Sequence, residues 1–114
     1  LCAQLARVVE QLNSKLPVQL ILHQQQKVKA HISVSGANGR LWVSPSIDGY
    51  DVSVSGLSLE KQLMSQLKAH FRSEPHGYKQ TNSNKGFKRQ PFWRTSDFKD
   101  VEHVCEMYAK TFKC

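Results

Sequence analysis

Residues 18–55 read VQLILHQQQKVKAHISVSGANGRLWVSPSIDGYDVSVS, and in them apolar side chains return at every second position. Val18, Leu20 and Leu22 make one set, Val28, Ala30, Ile32 and Val34 a second, Leu41 and Val43 a third, and Tyr50, Val52 and Val54 a fourth. Successive side chains of a strand point to opposite faces, so this period predicts four strands, each with one apolar face. The breaks carry turn chemistry: Gln24 to Gln26, then Gly36, Ala37, Asn38 and Gly39, then Pro45 to Gly49. Connections this short join antiparallel neighbours, which makes a meander the economical topology.

Outside this stretch the period changes to that of a helix. Leu1, Leu5, Val8, Val9 and Leu12 share a helical face, and Asn13, Ser14 and Pro17 follow as stop signals, predicting a first helix over 2–14. A second is expected over 58–72, with Ser58 as N-cap, Glu60 in the first turn, and Leu59, Leu63, Leu67 and Phe71 on its buried side. Pro75 and Gly77 end it. Residues 74–89 show no periodicity and read as a loop, either an ordered binding loop or a mobile one, Gln90 to Thr95 as a short strand, and 98, 101, 105, 108 and 112 as the stripe of a last helix capped by Ser96 or Asp97. The expected fold is α+β, in the order αββββα(β)α: an antiparallel meander of four strands, five with 90–95, packed with three helices.

The 114 residues are 39% apolar and 9% aromatic, enough for one core, and no run of 18 apolar residues exists to cross a membrane. Sixteen Lys and Arg against nine Asp and Glu give a net charge of +7. That excess is not spread evenly. No acid falls within 11–47 or 75–96, yet the first holds Lys15, Lys27, Lys29 and Arg40 and the second Lys79, Lys85, Lys88, Arg89 and Arg94. Two basic, acid-free segments point to a patterned surface that meets an anionic partner.

Alternation decides what the first segment presents. If the apolar set points at the helices, the other face shows Gln19, Ile21 and His23, then Lys27, Lys29, His31 and Ser33, then Arg40, Trp42 and Ser44, then Asp51, Ser53 and Ser55, a basic face with a tryptophan in it, and the turn at 35–39 brings His31 or Ser33 opposite Trp42. A ring that stacks on a base beside cations that hold phosphate fits single-stranded or deformed nucleic acid. The competing arrangement places a helix over this face and makes Trp42 core. The second segment interleaves Tyr78, Lys79, Lys85, Phe87, Lys88, Arg89, Phe92, Trp93 and Arg94 with Asn, Ser and Gly, the donors and rings that phosphate and base contacts use. Phe92 and Trp93 are neighbours, so in a strand one faces in and the other out and only one of them, Trp93 or Phe92, is available to a ligand; the competing arrangement makes Phe87, Phe92 and Trp93 core residues that pin the loop and the lysines ordinary solvated charges.

Catalytic chemistry finds little support. Asp48 or Asp51 with Asp97-Phe98-Lys99 loosely imitates the carboxylates and lysine of a metal-dependent nuclease, but turns and helix starts favour Asp for structural reasons. His103 and Cys105 are two apart in a helix and diverge, and no ligand spacing relates His23, His31, His70 and His76. No metal or other cofactor is expected. Cys2, Cys105 and Cys114 are too few and scattered for a disulfide framework, favouring a reducing, intracellular compartment, and a chain opening on Leu1 reads as one domain excised from a larger protein. The sequence therefore leads to a non-catalytic nucleic-acid-binding module, with DNA ahead of RNA, which uses Lys27, Lys29, Arg40, Trp42, Tyr78, Lys79, Lys85, Lys88, Arg89, Trp93 and Arg94. The alternative is a domain that docks an acidic protein, another domain of its own chain or a second copy of itself.

Overall fold

A computed structural model describes residues 2–25, 29–34, 39–81 and 88–112. Three helices, α1 (Cys2–Lys15), α2 (Leu57–Phe71) and α3 (Phe98–Thr111), accompany six strands: β1 (Leu20–Gln25), β2 (Lys29–Val34), β3 (Arg40–Ser46), β4 (Gly49–Ser55), β5 (Gly77–Thr81) and β6 (Lys88–Thr95). The strands form one antiparallel sheet in the order β1-β2-β3-β4-β6-β5. The fold is α+β with its first four strands in a meander.

The expected apolar faces meet as one core. Leu20, Ala30, Ile32, Leu41, Val43, Val52, Val54 and Trp93 from the sheet are buried together with Leu5, Val8 and Leu12 of α1, Leu59, Leu63 and Leu67 of α2, and Val101, Val104, Cys105 and Tyr108 of α3. Since all three helices contribute to that single cluster, they lie on one side of the sheet. Directional bonds then hold the layers in register. The Asn13 side chain brackets Leu20, accepting from its N–H at 2.7 Å and donating to its carbonyl at 3.1 Å, which ties the end of α1 to the edge strand β1. The Tyr108 hydroxyl donates to the Gly39 carbonyl at 2.9 Å. The Trp93 indole donates to the Ser73 carbonyl at 3.2 Å and stacks on Phe71 with ring centroids 5.9 Å apart.

Three local expectations are corrected. Segment 74–89 is not all loop: Gly77–Thr81 is a strand paired with β6, which itself begins at Lys88. Ser58 is not the N-cap of α2, because Gly56 takes that position at a φ of 99°, where a side chain is disfavoured, and its carbonyl accepts from the Glu60 N–H. β1 starts at Leu20, leaving Val18 ahead of it. Asp97 caps α3 as expected, its carboxylate accepting from the Lys99 N–H at 2.9 Å.

Cys105 lies wholly inside the core, and burial pushes its thiol up to about 12. A Cys2→Ser, Cys114→Ser variant, which retains this thiol alone, should therefore react with a disulfide reagent only at the rate of unfolding, and fast labelling of the native protein would contradict the packing. At Gly49 an added Cβ would fall 2.0 Å from the Thr95 carbonyl oxygen. Gly49→Ala should destabilise the protein by about 1–3 kcal/mol in urea melts, the usual cost of forcing backbones apart.

Candidate functional site

With the helices on one side, the opposite face of the sheet is covered by no helix among the described residues. Register fixes what that face presents. His23 is paired with His31, His31 with Trp42, Trp42 with Ser53, Ser53 with Phe92 and Phe92 with Gly77, so a single row of side-chain positions crosses all six strands. His31 is thus the residue opposite Trp42. The rings are in contact at one end of the row: His23 and His31 stack with centroids 4.5 Å apart and planes 17° apart, and His31 meets Trp42 at 4.5 Å and 48°. The Trp42 indole donates to Ser55 Oγ at 3.1 Å, and His23 Nε2 lies 3.2 Å from Ser33 Oγ. Toward the other end, Ser53 is 2% exposed between Trp42 and Phe92, and a Cβ on Gly77 would come within 2.9 Å of the Phe92 ring. Only a glycine on β5 lets that ring lie as it does.

Charges flank the row. Arg40 is exposed and joined to no carboxylate among the described residues. Arg94 is held instead: its Nε donates to Asp51 Oδ1 at 2.8 Å and an Nη to Oδ2 at 3.3 Å. Its guanidinium carbon sits 5.6 Å from the centre of the Phe92 ring, and its other Nη lies 3.3 Å from His76 Nε2. The Asp51 carboxylate raises the Arg94 pKa further above its ordinary value. Arg94 remains half-exposed, so it is anchored in direction with part of its fork facing solvent.

The expected site residues divide accordingly. Arg40, Trp42 and Arg94 share the helix-free face. The positions of Lys29, Lys79 and Lys88 have the parity of that face, whereas Arg89 has the parity of the helix side. Tyr78 is paired with the buried Pro91, so it belongs to the helix side of the sheet at its edge, although it is 52% exposed. Lys27 and Lys85 lie outside the described residues. Trp93 requires the plainest correction: paired with Val52, it points into the core, is 1% exposed and has no face to offer a ligand. Its neighbour Phe92 is the outward ring. His23, His31 and Asp51 lie on this surface as alternation predicts, and His76 joins it beside Arg94 and Phe92, a placement that only the pairing of distant strands reveals.

Of the acids that imitate a nuclease, Asp51 is bonded to Arg94 and Asp97 caps the start of α3, while Asp48 is exposed in the β3–β4 turn. Between α2 and α3, His70 Nε2 lies 2.8 Å from Asp100 Oδ1 while Thr95 donates to the other oxygen of Asp100, a clamp between elements. No three His, Cys, Asp or Glu side chains among the described residues converge on a metal-sized site. No described helix is long and apolar enough to cross a membrane.

His31 is the strained member of the row. It is 5% exposed, its Nδ1 is buried with no hydrogen-bond partner, and burial, followed by the nearby His23 and Arg40, lowers its pKa to about 4. An unmet buried polar atom costs about 1–3 kcal/mol. The folded state keeps this imidazole neutral while the unfolded chain protonates it near the ordinary 6.5. The unfolded state therefore binds more protons between those values, and stability falls as pH drops from about 6.5 toward 4. The melting temperature should follow that fall in the wild type and show a smaller fall in His31→Gln. An equal acid sensitivity in both proteins would assign the effect to other groups.

Set against protein-family models, curated proteins and solved structures, the chain finds no match in any of the three comparisons.

Proposed function

We propose that the chain is a non-catalytic nucleic-acid-binding module that takes single-stranded or locally opened nucleic acid, DNA ahead of RNA, on the helix-free face of its sheet. The observation that carries this reading is the row in which the rings of His23, Trp42 and Phe92 reach the surface around the buried His31, with Arg40 and Arg94 at its sides. A sheet surface bearing aromatic side chains matches the π-face that every unpaired base offers, and arginines beside the rings match the phosphates that link one base to the next. A duplex hides its base faces by stacking, so the same surface favours unpaired strands. The absence of acids from both segments that supply these side chains supports an anionic partner.

A second reading, a protein-docking or self-association surface, draws support from Ile47, fully exposed at the β3–β4 turn, and Ile21, 39% exposed on β1. The two readings separate in one set of measurements. Fluorescence polarisation with labelled single-stranded, double-stranded and hairpin oligonucleotides should show single strands bound tightest, with log Kd rising linearly with log salt at a slope of about 0.7 per phosphate contacted. Trp42→Ala and Phe92→Ala should each weaken binding by about 5- to 150-fold, the range expected for one lost base stack of about 1–3 kcal/mol. Arg40→Glu should weaken binding and lower the salt slope. Trp93→Ala should act on stability, since that ring is core. Absence of binding to every oligonucleotide, together with a defined dimer on size exclusion, would replace this reading with the second.

A further inference from the structure

The nucleic-acid reading leaves the state of His31 unexplained. This side chain is nine-tenths buried on a face that no helix covers, under the rings of its own neighbours, and its Nδ1 meets no partner. The groups around it are His23 from β1, Arg40 and Trp42 from β3, and Ser33 on its own strand. β1, β2 and β3 contain no acid at all, and the nearest carboxylate in the register, Asp51 on β4, is bonded to Arg94. Nδ1 therefore has a hydrogen bond unmade, and none of the three strands that meet there supplies a carboxylate to offset a charge on the ring. His23 is exposed on the edge strand, so its ring is the part of the cover with room to turn aside. By contrast, the cluster of His70, Asp100 and Thr95 is satisfied from within.

We infer that His23, His31 and Arg40 form a phosphate subsite on this face, and that a phosphate seated there brings a proton onto His31. The inference rests on the nucleic-acid reading and names the part of the surface that holds the backbone. In the free protein the imidazole is neutral because its cationic form would be desolvated between His23 and Arg40. A phosphate oxygen reverses both terms. It accepts the hydrogen bond that Nδ1 lacks, and its charge offsets the added cation, so one proton moves from solvent to the ring as the ligand binds. Arg40 supplies the fixed charge, and His23 follows the ligand as it turns. Trp42, in contact with His31, then receives the base attached to that phosphate.

The test follows the binding of a labelled oligothymidylate across about pH 7.5 to 5.5 at constant ionic strength, for the wild type and His31→Gln, beside NMR titration of the His31 ring with and without oligonucleotide. Uptake of one proton gives affinity that rises as pH falls, by up to about tenfold per pH unit below the midpoint of the complex. The wild type should bind about tenfold tighter at the acid end, His31→Gln should lose most of that gain, and the ring should titrate higher in the complex than in the free protein. Binding that ignores pH, or a His31 midpoint unmoved by ligand, overturns the subsite and leaves the nucleic-acid reading standing. The ring titration uses the wild type, so a His31→Gln protein that fails to fold does not end the test. Inorganic pyrophosphate is the second arm. If it raises the His31 midpoint while no oligonucleotide binds, the subsite stands for a free phosphate-bearing molecule and the nucleic-acid reading falls. If no oligonucleotide binds and pyrophosphate leaves the midpoint unmoved, both fall.

Discussion

Burial of one side of the sheet is the constraint on which the remaining architecture depends. Three helices bring three apolar stripes, and each finds its complement in the same layer of Ile32, Leu41, Val43, Val52, Val54 and Trp93. Alternation then makes the other side a consequence of the first. Once Val52 and Trp93 are committed to the core, Ser53 and Phe92 must point away from it, and once Ile32 and Leu41 are committed, His31 and Trp42 must do the same. The row of rings comes from the same hydrogen-bonded register that closes the core, so neither can slip without the other.

That dependence explains which parts of the molecule can be read from residues alone. The β1–β4 meander and the stripes of α1, α2 and α3 are local patterns, repeated several times within each element, and they are legible. β5 is not, because an edge strand paired only with β6 has no need of an apolar face, and Gly77-Tyr78-Lys79-Gln80-Thr81 resembles a loop in composition. The choice between Phe92 and Trp93 is likewise not local. Both are large and aromatic, and their roles depend on whether β6 meets β4 at Val52 or one residue away. The start of α2 shows a third kind of limit: Ser58 is a good cap by residue type, but the turn out of β4 needs a positive φ two positions earlier, and Gly56 supplies it.

The site divides in the same way. Arg40 and Trp42 are found by alternation within one hairpin, whereas Tyr78 falls on the helix side once its partner Pro91 is known. His31 and His23 sit on the expected face, but what sets them apart is contact across strands: a stacked pair of imidazoles with one nitrogen unmet. Burial of an ionisable ring beneath other side chains, away from the core, has no signature in periodicity. It follows from the ring of Trp42 on one side and that of His23 on the other.

The bond between Asp51 and Arg94 has a further meaning in the order in which the molecule assembles. Those residues are 43 apart in the chain, whereas every pairing within the β1–β4 meander joins close neighbours in sequence. Closing the longer loop costs more chain entropy before any contact rewards it, which predicts that the meander forms first and the β5–β6 hairpin docks onto β4 afterwards. On that order the row of rings is completed only when β6 pairs with β4. Interactions absent from the transition state govern the unfolding rate, so the seam between β4 and β6 sets how long the assembled surface lasts.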